Sequence, residues 1–426
     1  MKDLNTKVTK EENNLPPLPE GWAWTTITDI ADTTSGGTPS RKYPEYFQGT
    51  IPWVKSGELG DGFISKTEEK ITGDALRNSS AKLFPSGTVL VALYGATVGK
   101  VGILKIDAAS NQAVCALFPR NNSFTAKYMF YWLMSQRQEL INKSMGGAQP
   151  NISQGIVRSH PFPLSPLPEQ ERIVARLEEL LSDMEAGVAA LERVRIGAKR
   201  YIATVLKAAC EGKLFGEKGL KNGELPEGWR WATVGEVSKK IQYGTSEKAN
   251  LDDTGVPVLR MGNVQDGQLD YARLKYLPED SVPDNLILEP GDLIFNRTNS
   301  AELVGKTAIY KSNHPKATYA SYLIRVKMVP DVSSDFISFY INSLHGRKYI
   351  SSVVSQQVGQ ANVNGTKLAK MPLPLPPFEE QKHIVADVER RFESVRAVEA
   401  AVEAGLKRAG RLRQAVLRSA FEGRLG

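Results

Sequence analysis

Two long stretches of this chain carry apolar residues at the spacing of a helix seam. From Glu169 the apolar positions fall at Ile173, Leu177, Leu180, Met184, Val188, Leu191 and Val194. From Glu380 they fall at Ile384, Val388, Phe392, Val395, Val398, Val402 and Leu406. Steps of three and four residues sustained this long predict two helices, each ~40 residues and so roughly 60 Å long, with coiled-coil seams. Seam packing is expected first from Ile173, Leu177, Leu180 and Met184, and from Ile384, Val388, Phe392 and Val395. Gly187, Gly197, Gly405 and Gly410 weaken helix locally, so bends are expected there.

The pattern ahead of each helix is different. Short β-branched and apolar runs (Thr88 to Leu93, Ala113 to Phe118, Asp292 to Phe295, Ser321 to Val326) stand between Gly, Pro and Asn, and predict the strands of a mixed α+β domain. An aromatic stretch at helical spacing follows in each part, Ala126 to Ile141 and Asp335 to Ile350. Then come a polar loop and a proline-rich exit, PFPLSPLP or MPLPLPPF, expected to be a stiff connector.

These matches form a repeat. LPEGWAW at Leu18 returns as LPEGWRW at Leu225, 207 residues later, and LPEQERIV at Leu167 returns as FEEQKHIV at Phe378, 211 residues later. AQPNISQGIV parallels GQANVNGTKL, and ACEGKLFG parallels AFEGRLG. A period above 200 residues is too long for a solenoid unit, so the chain is a duplicated domain pair. The expected division is a tail at 1–14, a first domain at 15–166, a long helix at 167–216, a linker at 217–224, a second domain at 225–376 and a second long helix at 377–426.

Charge bears on how the helices pair. Residues 169–192 hold seven acids and two bases, and 193–213 hold six bases and one acid; 379–403 hold seven acids and four bases, and 407–424 six bases and one acid. Antiparallel pairing sets acidic halves against basic halves, although the same polarity also complements each helix dipole.

Composition narrows the function. The chain has 426 residues, a net charge of +7 and a pI near 9.1, which favours a polyanionic partner only weakly. Cys115 and Cys210 are the only cysteines, and the four histidines stand without ligand spacing, so neither a disulfide framework nor a metal site is expected. No apolar run is long enough for a signal or a membrane span, which places the protein in the cytoplasm as an expectation.

Catalytic motifs fail on inspection. Leu375-Pro376-Pro377-Phe378 is close to the Asn/Asp-Pro-Pro-aromatic motif of amino-methyltransferases, but leucine accepts no hydrogen bond. Gly305-Lys306-Thr307 lacks the earlier glycine of a phosphate-binding loop, and its counterpart Gly99-Lys100-Val101 lacks the hydroxyl. A self-sufficient methyltransferase would also need a catalytic domain for which the chain has no room, so no catalytic residues and no enzymatic activity are expected.

The doubled, ordered motifs resemble the specificity subunits of type I restriction-modification systems over nearly the whole chain. LPEGW opens each half, PLPEQERIV and PPFEEQKHIV open the long helices, and EGKL and EGRL close them. The resemblance implies an α+β fold with two target recognition domains in tandem, separated by two long antiparallel coiled-coil helices. It implies a non-catalytic subunit that reads a bipartite target in double-stranded DNA with a fixed spacer and serves phage defence. The partners implied are two methyltransferase subunits and two restriction subunits, carrying the S-adenosylmethionine, ATP and Mg that this chain would not bind. A specificity-like subunit of a methylation-only or other defence system is the alternative.

Reading base edges and phosphates takes Arg, Lys, Asn, Gln and Tyr on loops. The first half offers Arg41, Lys42, Lys55, Lys66, Tyr94, Lys100, Gln149 and Asn151. The second offers Arg260, Asn263, Asn296, Arg297, Asn299, Lys306, Gln360 and Asn362. For the Gln and Asn pairs, turn chemistry is an equal reading. Trp22, Trp24, Trp229 and Trp231 are expected to anchor each first strand in a core, not to stack on bases. Residues 25–150 hold 13 bases and 10 acids, and 230–365 hold 15 and 14, so neither domain is strongly basic.

Overall fold

A computed structural model describes residues 15–143, 151–214, 225–265, 267–300, 303–357 and 360–425, the side chains of 356, 357 and 360 excepted. The first half begins with β1 (Ala23–Thr26), a short α1 (Ile27–Ile30), β2 (Ala31–Ser35), β3 (Ile51–Val54), β4 (Gly62–Ile64), β5 (Glu69–Ile71) and α2 (Gly73–Arg77). It continues through β6 (Leu83–Phe84), β7 (Val89–Ala92), β8 (Val101–Leu104), β9 (Ala108–Ser110), β10 (Val114–Pro119), α3 (Ala126–Asn142), α4 (Gln154–Arg158), β11 (Pro161–Leu164) and the long α5 (Leu167–Cys210). One sheet has the order β2-β10-β7-β8-β4 and a second the order β5-β3-β9-β6. Both faces of β7 and β10 are buried, which explains why those strands are unbroken apolar runs.

The second half repeats this plan. It holds β12 (Arg230–Thr233), β13 (Ser238–Tyr243), β14 (Val256–Leu259), the hairpin β15 (Val264–Gln265) and β16 (Gln268–Leu269), β17 (Lys275–Leu277), β18 (Leu293–Asn296) and β19 (Thr298–Asn299). Then follow β20 (Thr307–Ile309), β21 (Thr318–Tyr319), β22 (Leu323–Met328), α6 (Ser334–Asn342), α7 (Leu344–Val353), β23 (Ser355–Gln357), β24 (Gln360–Asn362), α8 (Gly365–Ala369), β25 (Pro372–Leu375) and the long α9 (Phe378–Phe421). Its sheets run β13-β22-β18-β20 and β17-β14-β21.

Two local expectations change. The proline-rich exits are strands: β11 pairs antiparallel with β1, setting Trp24 opposite Pro163, and β25 pairs with β12, setting Trp231 opposite Pro374. Each two-stranded ribbon demands few ladder bonds, so proline is tolerated there. The aromatic stretch after Asp335 is two helices, because Ser343 ends α6 and its hydroxyl caps α7 at the Gly346 amide.

The chain forms two compact units, and each long helix is divided between them. The first unit comprises 1–191 and 404–426, and the second 192–403. In the first, Ile173, Val174, Leu177 and Leu181 of α5 share a core with Leu417, Ala420 and Phe421 of α9. Leu191 also lies against Gly405, so the two segments run antiparallel in this unit. Leu180 is half-buried and Leu181 takes the inner position, while Met184 packs at the edge. In the second unit, Val205, Leu206, Ala209 and Cys210 of α5 meet Ile384 and Val388 of α9, and Arg391 donates to the Tyr201 hydroxyl at 3.2 Å, again antiparallel. Val395 is buried, and Phe392 turns from the seam to Phe339 of α6, with ring centroids 5.7 Å apart.

The EQ in each helix-opening motif has a structural purpose. Gln170 and Gln381 are buried completely or nearly so. Their Oε1 atoms accept from the Thr125 and Ser333 amides at 2.9 and 2.8 Å, where α3 and α6 begin. Their Nε2 atoms donate to the carbonyls of Ser165 and Pro376, both at 2.9 Å. One side chain thus satisfies a helix N-terminus and the domain exit together, in both halves.

A second matched pair closes each helix. Gly212 lies against Pro226, and Gly423 against Pro19, so closely that an added Cβ would sit 2.6 and 2.0 Å from the proline Cγ. The end of α5 therefore meets the LPEGW of the second half within the second unit, and the end of α9 meets the LPEGW of the first half within the first.

Candidate nucleic-acid interface

The backbone places the two halves in residue-by-residue correspondence at one end of the larger sheet. The Leu93 amide donates to Ala113 and the Leu93 carbonyl accepts from Ile152; Arg297 does the same with Tyr322 and Val363. Just beyond, Tyr94 bridges to Asn151, and Thr298 pairs with Asn362. Gly99 and Gly305, at φ of +73° and +84°, make the same turn and bond back to the Ala92 and Asn296 carbonyls. The repeated Gly-Lys is therefore a turn requirement of glycine, not a nucleotide loop.

On this frame the candidate residues separate. Tyr94 is half-buried and Asn151 exposed, side by side; Gln149 lies outside the described residues. Thr298 and Asn362 meet through the Asn362 Nδ2 bond to Thr298 Oγ1 at 2.8 Å, and the Gln360 side chain lies outside the described set. Asn299 accepts from the Ser300 amide. Lys42 and Lys66 are exposed, and Lys100 is half-buried.

Other candidates are committed elsewhere. Lys55 pairs with Glu68 at 2.7 Å and Glu69 at 3.2 Å, and Arg41 pairs with Glu69 at 2.8 Å while lying over the Phe47 ring. Glu68 first, then Glu69, raises the Lys55 ammonium above its ordinary range. Burial pushes the Glu69 carboxyl up, but Lys55 and Arg41 outweigh it and hold it low. Two bases against two acids leave no surplus charge for phosphate.

Arg260, at the position matching Lys55, donates Nη2 to the Arg273 carbonyl at 3.1 Å. Asn263 and Asn296 leave the interface. Asn263 is buried, accepting from the Arg260 amide and donating to the Asp270 carbonyl; Asn296 is fully buried and donates to the Met261 carbonyl. Lys306 bonds Gln265 at 3.1 Å and faces a cleft of about 1050 Å³ within the second unit, beside Lys311, Asp335 and Glu389. With Lys311 paired to Glu389 at 2.8 Å, this cleft is mixed in charge.

Arg297 stands differently. Leu293 and Phe295 of β18 point to the core with Ile324 of β22 and Ile241 of β13. The period of two places Arg297, Tyr322 and Tyr243 next on that same face, where the core ends. The Arg297 guanidinium lies 4.8 Å over the Tyr243 ring and donates Nη1 to the Ser321 carbonyl at 3.3 Å. Tyr243 accepts from the Gly365 amide at 2.7 Å, and both tyrosines keep more than two-fifths of their surface exposed. Arg297 is nominated from the sequence but neither tyrosine on the same face is, and their difference from the first half appears only when matched positions are compared.

The tryptophans are mostly structural. Trp22 and Trp24 pack on the first core, and Trp229 is buried with its Nε1 donating to Glu380 at 3.0 Å. Trp231 is 54% exposed, so the fourth anchor is missing. Burial pushes the thiols of Cys115 and Cys210 up to about 12, so both are packing residues. Among the described residues no cluster of three metal-ligating side chains occurs, and no helix is long and apolar enough to cross a membrane.

A duplicated α+β module on shared helices, with polar loops matched at one sheet end, defines a two-domain repeat protein. The chain belongs to the family described as the type I restriction modification DNA specificity domain, which matches it twice, over residues 19–193 and 226–402. It is 27% identical to the StySPI specificity subunit of Salmonella potsdam, covering 97% of this chain and 91% of that one. It is 26% identical to the EcoKI specificity subunit of Escherichia coli K12, covering 96% and 90%. Among solved structures, a chain from a study of type I restriction-modification complex assembly and conformational transition shares the fold with a TM-score of 0.77 at 21% identity, over 96% of this chain and all of that one. The HsdS subunit of Thermoanaerobacter tengcongensis shares it with a TM-score of 0.57 at 22% identity, over 96% and 99%. The chain is a specificity subunit: two DNA specificity domains on helical connectors, with catalysis left to other subunits.

Proposed function

We propose that this chain reads a split sequence in double-stranded DNA, one part with each globular domain, while the long helices set the length of the unread spacer. The observation that carries the reading is the double occurrence of one specificity domain in one chain, each tied to helices that pass from one compact unit into the other. A 44-residue helix is about 66 Å long at 1.5 Å per residue, and one turn of duplex DNA is about 34 Å, so the scaffold is long enough to act as a ruler.

Two methyltransferase subunits and two restriction subunits complete the complex in this reading. They bring S-adenosylmethionine, ATP and Mg, and the assembly works in the cytoplasm. Neither domain has a strong positive surplus, so phosphate affinity draws on those subunits as well. Exposed Val194, Ile196, Tyr201 and Val398 on the helices of the second unit offer apolar surface for helical partners.

The test is co-expression with the methyltransferase subunit of the same system, followed by single-molecule sequencing to map methylated adenines. A gapped two-part motif is expected. A continuous motif, or none, would overturn the reading.

A further inference from the structure

We propose that Arg297, clamped between Tyr243 and the Ser321 carbonyl, reads a guanine in the half-site recognised by the second domain. The inference rests on the DNA-reading function proposed above and assigns it to one side chain and one base.

The matched backbone is the starting point. The places held by Tyr243, Arg297, Tyr322 and Gly365 in the second domain are held by Ser35, Leu93, Ala113 and Gln154 in the first, as strand registers and backbone bonds align them. The substitutions compensate in size. In the first domain Gln154 bonds Thr33 and Ser35; in the second, glycine makes room for the Tyr243 ring, whose hydroxyl takes the Gly365 amide. One frame thus carries two different surfaces. A methyltransferase subunit meeting both halves would need the same surface twice, whereas two different half-sites need different ones.

The chemistry of the second surface suits a base edge. Arginine pairs with O6 and N7 of guanine through two N–H groups in the major groove, provided its plane is fixed. Ring contact with Tyr243 and the bond to Ser321 fix that plane; Nε is buried, so the N–H groups left to meet the base are the second one on Nη1 and those on Nη2. Leu93 in the first domain is buried and has no side-chain donor, so the guanine contact belongs to one half-site only.

The test uses the assembled complex with its methyltransferase subunits and duplexes in which each base pair of the mapped second half-site is replaced in turn. Wild type and Arg297→Leu, which installs the first domain's residue, are compared for binding and methylation. Discrimination is expected to fall roughly ten- to a hundredfold at a single guanine, with the first half-site and the spacer unchanged. Arg297→Lys keeps the charge without the planar fork and is expected to weaken discrimination at that same guanine; it decides the matter if the leucine variant does not fold.

Unchanged discrimination at every position, or coupling to a base other than guanine, would overturn the proposal. So would loss of methyltransferase capture by a variant whose melting is unchanged, because the surface would then be a protein-docking patch. Absence of a two-part motif with the wild-type complex would instead sink the underlying reading of function.

Discussion

Gln170 and Gln381 each hold a helix N-terminus and a domain exit together from inside a core. Gln381→Ala would strip a partner from the Ser333 amide and from the Pro376 carbonyl, both inside the second unit. A loss of about 2–3 kcal/mol is expected, seen as faster hydrogen exchange along α6. His160 offers a pH test. It is almost fully buried beside Trp132, and burial lowers its pKa from the ordinary 6.5 to about 4. The folded form keeps it neutral while the unfolded chain protonates, so stability is complete above pH 6.5 and falls as pH drops towards 4. The expected loss is roughly 2 kcal/mol by about pH 5, and His160→Phe should flatten that part of the melting-temperature profile. Asn263 and Asn296 illustrate why a polar residue in a loop-like setting misleads: an amide that completes a turn and one that reads DNA have the same composition signal. Only burial separates them, and burial depends on contacts far away in sequence.

At the scale of elements, the long helices were legible because an apolar seam repeated over many turns fits only a helix that packs along its whole length. Their inner face was less legible, since Leu180 and Leu181 are both leucine and only the packing partner chooses between them. Phe392 shows the same limit. It continues the heptad-like series, which marks it for packing along the helix seam. Its ring, however, meets Phe339 of α6. Phe392→Asp should therefore open the second unit, with a lowered melting temperature preceding any effect on assembly. Ile196 and Val194, 49% and 47% exposed, are the better probes of docking. Ile196→Glu combined with Val194→Glu should reduce co-purification of the methyltransferase by roughly tenfold while the chain melts as before. Retained co-purification would move the docking surface elsewhere. The strands of the proline-rich exits were hidden for a plain reason: proline lowers strand propensity, and a two-stranded ribbon is one of the few settings that forgives it.

For the whole molecule, the repeat made the duplication plain, but not the way each unit is completed. The first unit takes Leu417, Ala420 and Phe421 from the far end of the chain, with the Phe421 ring 5.0 Å from Tyr128 and 5.1 Å from Trp132. Phe421→Ala should cost about 3–5 kcal/mol and show itself in the first unit, nearly 300 residues away along the sequence, through increased exchange along α3. An effect confined to the end of α9 would mean that the first unit does not depend on this ring. The proline against the closing glycine of each helix gives the arrangement a further meaning. At Gly212 and Pro226 the contact joins one repeat to the next along the chain, and at Gly423 and Pro19 the same contact joins the last repeat to the first. Each domain is finished by the helix end of the repeat before it, counted in a circle. Two identical half-length chains exchanging their helix ends would make the same set of contacts, so neither repeat is complete without the other.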